Sequence, residues 1–382
     1  MLRLVPFVAF ALASTGCSMF HAGVAEAPML AALADDDPTR AAKELDDGLG
    51  VENGKLPVKM HGFSGLMLAE RGTVRLVASL PHQATDDFRV ADRMLDVEDM
   101  ALDDTMRRTH MPQGLKHAFH MGWLGALNYP YVPRLHERLM VNPLAMIAYL
   151  DLGDDQGARV EARRHQTMID FANRTDPRSA SRRTRALSGI LAGFAFERAG
   201  EMAEACRDYR EAMSATTSDL TSLVPGGKDP SACSGPAFVG DGKGHGPPLL
   251  QSGGELLVVV GYGLAPRADM NSGKTDTQLY DIARGSETLE TPRIIVDGEA
   301  VTGVEVLDLG AVVQADWDEA NRATGNGTPL SWANLPAHFY VARVAVEAGK
   351  HHVETTVREA TRKTDLLVPA GGWAATSAFV LR

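Results

Sequence analysis

Residues 185–215 read RALSGILAGFAFERAGEMAEACRDYREAMSA, and this stretch decides the fold of the N-terminal half of the chain. Gly193 and Phe196 lie three residues apart, and Ala205 and Tyr209 lie four residues apart after an intervening turn. Residues at spacings of three and four share one face of a helix. The pattern therefore predicts two helices that cross with small residues at the contact and aromatic residues beside it.

The same offsets recur at two earlier places in the chain. The equivalent positions are Met146, Tyr149, Gly153, Ala158 and Ala162 in residues 142–164, and Gly72, Ala84, Phe88 and Ala91 in residues 64–94. Such helix pairs resemble tetratricopeptide units, which stack on their neighbours. The turn residues Gly153 and Gly200 are 200 − 153 = 47 residues apart, more than the roughly 34 of the standard repeat. The units are therefore expected to be irregular, and helical hairpins without a binding groove remain an alternative.

The second half of the chain is predicted to form β structure. Residues 255–262 (ELLVVVGY) are an apolar run typical of a buried strand, and Asp297-Gly298 between two apolar runs indicates a type I′ hairpin. Further strands are expected in residues 338–346, 351–358 and 374–381. Because no helical pattern alternates with them, these strands predict an antiparallel β-sandwich. The expected class is α+β, with an irregular tetratricopeptide-like helical domain followed by the sandwich.

Composition restricts the classes of function. The chain has 382 residues, 45% of them apolar, and 38 basic against 49 acidic residues, a net charge of −11. An acidic chain with a pI near 5.6 is unlike a nucleic-acid-binding protein, which needs a basic face. No apolar run in the body of the chain reaches the roughly 18 residues of a membrane span.

The N-terminus has the layout of an export signal. A short basic segment precedes the apolar residues 4–13 (LVPFVAFALA), a run of the length found in secretory signals. The next residues, Ser14-Thr15-Gly16-Cys17, resemble the lipobox of bacterial lipoproteins. The resemblance implies cleavage between Gly16 and Cys17 and a lipid on the Cys17 thiol, with a further amide-linked acyl chain that makes the anchoring stable. A conventional secretory signal, in which Cys17 is an ordinary residue, is the alternative.

The residue after the lipobox cysteine indicates the destination. The retention signal for the inner membrane of such lipoproteins is an aspartate at that position, whereas this chain has Ser18. The resemblance therefore implies the outer membrane, with the lipid anchor facing the periplasm. The expected organisation is a signal peptide (1–16), a lipidated N-terminus and flexible tether (17–55), a helical domain (56–222), a Gly/Pro-rich linker or loop (223–254) and a β domain (255–382).

Two further cysteines, Cys206 and Cys233, would meet an oxidising compartment in which a disulfide persists. The sequence leaves open whether the two residues pair, because their distance in the fold decides this.

Two blocks of the chain carry more specific motifs. Residues 137–142 fit ER-x-x-x-N, residues 149–154 fit YLxxGD, residues 160–164 fit VExRR, and residues 263–266 read GLAP. With these motifs the chain resembles a family of uncharacterised bacterial lipoproteins. The resemblance implies an architecture and a compartment, and it carries no reaction with it.

Charged and polar residues in the first block are candidates for a binding face of the helical domain: Glu137, Arg138, Asn142, Glu161, Arg163 and Arg164. Opposite charges at neighbouring helix positions commonly form ion pairs inside a protein. An internal network between adjacent helices is therefore favoured over an open charged groove.

Other patterns do not support a catalytic, metal or nucleotide site. Residues 268–275 (ADMNSGKT) have Ala268 where a phosphate-binding loop needs its first glycine. Pro112 and Gly114 interrupt the helix that His110, His117 and His120 would have to share. No cofactor, metal, nucleotide or nucleic acid is therefore expected.

The expected function is a non-catalytic, membrane-anchored periplasmic component of the bacterial envelope that binds or scaffolds another envelope protein. A hydrolase acting on cell-wall or glycan material is one alternative, and two facing carboxylates in a pocket would favour it. A passive structural lipoprotein is another.

Overall fold

The computed structural model of the chain describes residues 25–52, 54–59, 63–108, 131, 133–175, 180–225, 253–268, 282–283, 291–324 and 331–382. Its first half is helical and its second half is rich in antiparallel strands, so the predicted α+β class is confirmed. Across these ranges, none of the helices combines the length and the apolar character needed to cross a membrane.

The three predicted helix pairs are present. The helices of the first half are α1 (described over residues 25–34), α2 Pro38–Leu49, α3 Ser64–Val77, α4 Pro81–Arg108, α5 Leu135–Asp151, α6 Asp155–Thr175, α7 Arg185–Arg198 and α8 Met202–Ala215, with a 3-10 helix at Ala180–Thr184. The predicted pairs are α3–α4, α5–α6 and α7–α8. Gly153 and Gly200 lie in the turns of the second and third pairs with φ of 70° and 78°, the left-handed region that favours glycine.

A glycine allows the two helices of each pair to approach closely. A Cβ atom at Gly193 would lie 2.5 Å from the ring of Tyr209, closer than real Cβ contacts allow. The other pairs place Gly72 against Phe88 and Gly157 against Tyr149 in the same way. The spacing of small and aromatic residues in the sequence therefore corresponds to real packing between helices.

The predicted flexible tether is wrong for residues 25–49. Helices α1 and α2 form a hairpin, and Met29 and Leu45 are both 0% exposed in the main core. Asp37, which lies inside the predicted tether, accepts a hydrogen bond of 2.9 Å from the backbone N–H of Arg40 at the start of α2. The segment is helical because its apolar residues recur at helical spacing, which its Ala- and Asp-rich composition obscures.

Strands form two four-stranded sheets and one short pair within the described residues. The strands are β1 Gly253–Leu264, β2 Arg267–Ala268, β3 Ile282–Ala283, β4 Arg293–Val296, β5 Glu299–Val301, β6 Val304–Asp308, β7 Pro336–Glu347, β8 Gly349–Val357, β9 Ala360–Val368 and β10 Trp373–Val380. The first sheet has the order β10-β1-β7-β6 and the second has the order β5-β4-β8-β9. Asp297 and Gly298 form the predicted turn between β4 and β5, with φ of 52° and 87°.

The first sheet lies between the helices and the second sheet. On β1, Leu257 and Val259 belong to the main core with the helices, whereas Leu256 and Val258 belong to a second core with the second sheet. Strand β1 is therefore buried on both faces, as its continuous apolar run predicts. The observed arrangement has three layers, which differs from the expected sandwich of two sheets alone.

Two elements depart from the predicted antiparallel β domain. Strand β10 pairs with β1 in parallel, and helix α9 (Leu309–Thr324) lies between β6 and β7. The helix begins where Asp308 accepts a hydrogen bond of 2.9 Å from the N–H of Ala311, and Val312 and Val313 are buried. The prediction that no helix alternates with the strands is therefore wrong, although an acidic N-cap residue before an apolar pair signals this helix.

The α7–α8 crossing can be tested with a matched pair of substitutions. Ala205 is 0% exposed at the crossing, whereas Ala203 is exposed on the same helix. We expect Ala205→Glu to lower the free energy of unfolding by about 3 kcal/mol or more, because it buries an unpaired charge. Ala203→Glu should change it by less than about 0.5 kcal/mol, since an acid near a helix start is tolerated. Urea unfolding measures both, and equal effects would contradict the assigned crossing.

Candidate functional site

The six predicted polar residues lie on α5 and α6, and four of them are buried. Glu137, Arg138 and Asn142 on α5 and Glu161 on α6 are at most 3% exposed. The side chains of Arg163 and Arg164 on α6 are 58% and 41% exposed.

Asp92 of α4 is the centre of the buried part of this group. Its carboxylate lies 2.7 Å from Nη1 of Arg138 and accepts a hydrogen bond of 3.3 Å from Nδ2 of Asn142. The same Asn142 amide donates to Glu161 at 3.0 Å, and Arg164 reaches the Glu161 carboxylate at 3.0 Å. The arrangement is an internal network that joins α4, α5 and α6. Burial raises the pKa of Glu161, which the hydrogen bond from Asn142 partly opposes.

Glu137 has a separate role at the junction between the two halves. Its carboxylate accepts hydrogen bonds from the backbone N–H of Trp332 at 2.7 Å and of Arg134 at 2.6 Å, and from the hydroxyl of Tyr131. Glu137 therefore holds the segment that leads into β7 against the helices. Its partner Trp332 is 195 residues away in the chain, which is why sequence spacing did not reveal the contact.

Glu70 of α3 holds the same segment from a second helix. Its carboxylate accepts a hydrogen bond of 3.1 Å from the N–H of Ala333, and Nδ2 of Asn334 donates to its backbone carbonyl at 2.9 Å. Burial, followed by the nearby charges of Glu26 and Glu137, raises the pKa of Glu70 well above its ordinary value. Glu70 and Glu137 are thus two neighbouring carboxylates, but both are buried and both bind backbone donors of the chain itself.

Arg163 and Arg164 lie on the exposed side of α6. Arg163 pairs with Glu201 at 2.7 Å, and its guanidinium lies 5.4 Å from the centre of the Phe196 ring. Val160, one helical turn earlier, is 46% exposed. We call Val160, Arg163 and Arg164 the outer face of α6. Its two arginines are the accessible members of the predicted binding face.

A buried cluster around Arg343 of β7 was not predicted from the sequence. The Arg343 guanidinium donates to Glu197 of α7 at 2.7 and 3.0 Å and to Glu255 of β1 at 2.6 and 2.9 Å. Burial by itself raises the pKa of Glu197, but the charges of Arg343 and Arg198 outweigh it and hold that pKa below its ordinary value. The sequence contains a signal for this cluster: Arg343 shares a strand face with the apolar Phe339 and Val341, which indicates a buried arginine that needs a partner.

Asp151, in the YLxxGD motif, forms another contact between the halves. Its carboxylate accepts a hydrogen bond from the hydroxyl of Ser377 on β10, and its Oδ1 atom is buried with no hydrogen-bond partner among the described residues. Burial raises the pKa of Asp151 to about 7, against the opposing effect of Ser377.

A cavity of about 490 Å³ lies between α2 and the turn from α3 to α4. Its wall includes Lys43, Asp47 and Arg75. The Arg75 guanidinium is 2.6 Å from Asp87 and donates to the carbonyl of Gly54 at 2.7 Å. Arg75, the most buried charged side chain in the wall of this cavity, is therefore already paired with other groups of the chain.

Other predicted features fall wholly or partly outside the described residues. Cys17, Cys233, the histidines His110, His117 and His120, and residues 269–275 lie outside them. Over the described ranges, no group of three or more His, Cys, Asp or Glu side chains is placed to hold a metal ion.

Comparison with known proteins gave no match: no family model, no curated protein and no solved structure matches the chain.

Two arginines that contact Asp92 allow a test of the internal network. Arg138→Met should lower the free energy of unfolding by about 3–5 kcal/mol, because it leaves a buried carboxylate without its close partner. Arg164 is partly exposed, and its Nη1 atom is 3.7 Å from the Asp92 carboxylate. Arg164→Met should therefore lower the free energy of unfolding by less than about 1 kcal/mol. Equal losses in urea unfolding would contradict the assignment of Asp92–Arg138 as the core of the network.

We expect the ionisation of Asp151 to lower the free energy of unfolding as the pH rises. Because its pKa is raised to about 7 in the folded state, the folded chain keeps a proton that the unfolded chain releases above about pH 4. The contribution of this protonated group is complete below the unfolded pKa and is lost as the pH approaches 7.

Asp151→Asn retains an acceptor for Ser377 but cannot ionise. Between about pH 5 and pH 8, the wild-type chain should therefore lose on the order of 2 kcal/mol more unfolding free energy than the variant. Urea unfolding at both pH values measures this difference, and parallel pH profiles would refute the role of Asp151.

Proposed function

We propose that this chain is a membrane-anchored periplasmic lipoprotein that acts as a non-catalytic protein-binding or scaffold component of the bacterial outer membrane. The observation that carries the proposal is the apolar run of residues 4–13 followed by Gly16-Cys17, which provides an export signal and a thiol for lipid attachment.

The state of Cys206 supports export. Cys206 is disulfide-bonded and 3% exposed. Disulfides of this kind persist in oxidising compartments such as the bacterial periplasm and are rare in the cytosol. A Cys17 thiol that carries lipid cannot form a disulfide, so the proposal requires Cys233 as the partner of Cys206.

Binding is proposed in preference to catalysis because three buried carboxylates of the described residues, which would be candidates for catalytic acids or bases, bind groups of the chain itself. Glu70 and Glu137 bind backbone N–H groups, and Glu161 binds Asn142. Arg163 and Arg164 remain accessible on the outer face of α6, and arginine is enriched at protein interfaces. We propose this face as the surface that contacts an envelope protein.

The experiment compares the wild-type chain with Cys17→Ala in cells supplied with labelled palmitate. The wild-type chain should incorporate the label and fractionate with the outer membrane, and Cys17→Ala should do neither. Label on the Cys17→Ala chain would refute Cys17 as the anchor.

Cross-linking in the same cells, followed by affinity capture and mass spectrometry of the envelope fraction, tests the binding surface. We expect a dominant envelope protein whose yield falls at least about fivefold in Arg163→Glu/Arg164→Glu. The matched control is Arg293→Glu/Lys350→Glu, which reverses two exposed charges of the second sheet and should leave the yield unchanged. An equal yield in all chains would remove the outer face of α6 from the proposal.

A further inference from the structure

A short loop at one end of the α1–α2 hairpin carries exposed apolar side chains between two lysines. We call residues 55–59 (KLPVK) the lysine-flanked loop. Val58 is 100% exposed and Leu56 is 37% exposed, and both Lys55 and Lys59 are exposed. Val58 stands fully in water and Leu56 partly so, whereas Pro57 between them is buried. An apolar side chain held in water is costly unless a surface covers it.

Hydrogen bonds to buried side chains fix the backbone at the start of this loop, so the fold itself keeps Val58 exposed. The N–H of Gly54 donates to Asp46 at 2.8 Å, and the carbonyl of Gly54 accepts from Arg75 at 2.7 Å. Arg71, which is 0% exposed, donates to the carbonyl of Lys55 at 3.1 Å and pairs with Asp46 at 2.5 Å. Two buried guanidinium groups thus fix the backbone just before the exposed side chains.

The chain that leads from Cys17 enters the fold at the same end of the hairpin. Helices α1 and α2 are antiparallel neighbours, so the N-terminal end of α1 lies beside the C-terminal end of α2. Direct contact supports this, because a Cβ atom at Gly48 would lie 3.2 Å from Cβ of Ala25. Five residues join α2 to the lysine-flanked loop, and the base of the loop returns to the last turn of α2, where the N–H of Gly54 binds Asp46 at the end of the hairpin that Ala25 contacts.

The distance from the anchor to this end of the fold is short. Eight Cα-to-Cα steps separate Cys17 from Ala25, and a fully extended chain spans at most about 3.6 Å per step, or about 29 Å in total. A lipid on Cys17 would therefore keep this end of the hairpin close to the membrane surface, where a weak contact gains from high effective concentration.

From these observations we infer that the lysine-flanked loop contacts the lipid surface, with Leu56 and Val58 at the level of the headgroups and acyl-chain boundary. This inference rests on the proposed lipid anchor and specifies which surface faces the membrane. Lys55 and Lys59 supply two positive charges, one on each side of the apolar residues. Basic residues that flank apolar side chains favour a surface containing anionic lipids.

The test uses the full-length chain, purified from membranes and reconstituted into phosphatidylethanolamine vesicles that contain about one quarter phosphatidylglycerol. Val58→Trp reports the loop, and brominated lipids quench a tryptophan that contacts the bilayer. The matched control is Leu367→Trp on β9, since Leu367 is also apolar and 68% exposed. The wild-type chain gives the background from its 4 native tryptophans.

Quenching of the new tryptophan should be at least about threefold greater in Val58→Trp than in Leu367→Trp. Adding Lys55→Glu/Lys59→Glu to Val58→Trp should reduce the quenching at least about twofold, whereas adding Lys350→Glu/Lys363→Glu should not. Equal quenching at positions 58 and 367 would overturn the inference.

Mass spectrometry of the purified chain separates the two proposals. A lipidated chain with equal quenching at the two positions would overturn the membrane contact and leave the anchor in place. A chain without lipid on Cys17 would remove the proposed function, and the membrane contact with it.

Discussion

The buried guanidinium of Arg343 is the interaction on which the association of the two halves depends. It lies on β7 and binds Glu197 of α7 and Glu255 of β1, while Tyr209 and the carbonyl of Leu223 accept further hydrogen bonds at 3.1 Å. Separating the helices from the first sheet would remove the Arg343 guanidinium from the buried Glu197 and leave it only the pairing with Arg198, its neighbour on α7. Because removing one partner of a buried ion pair is strongly destabilising, the helical and β halves act as one packed unit. The predicted domains at 56–222 and 255–382 thus share a core.

Once the halves are joined in this way, the first sheet must bury both of its faces. Strand β1 satisfies this requirement with an unbroken run of apolar residues, alternate members of which face the helices and the second sheet. Glu70 and Glu137 fasten the segment before β7 to the helices through its backbone N–H groups. These two neighbouring carboxylates therefore position backbone segments, since a buried N–H without a partner is costly.

The parts of the fold that follow from local spacing could be predicted, and the parts that depend on distant contacts could not. The helix pairs follow from glycine and aromatic residues such as Gly193 and Tyr209, and the β4–β5 turn follows from Asp297-Gly298. An internal role for Arg138 could be predicted from charge spacing, although its partner Asp92 lies on another helix pair. No local pattern predicts that β10 pairs with β1 in parallel, because that register is set by the three-layer packing.

The packed N-terminal hairpin changes what an anchor would do for this protein. A flexible tether of the predicted length would let the helical face sample many orientations, whereas a fold that begins by Ala25 leaves only a short link to Cys17. The outer face of α6 and the lysine-flanked loop belong to one unit whose halves are joined through Arg343. If the loop rests on the lipid surface, the direction in which Arg163 and Arg164 point is fixed relative to the membrane. A partner would then have to bind that face at a fixed distance from the membrane surface. The anchor would thus determine the geometry of binding as well as the compartment.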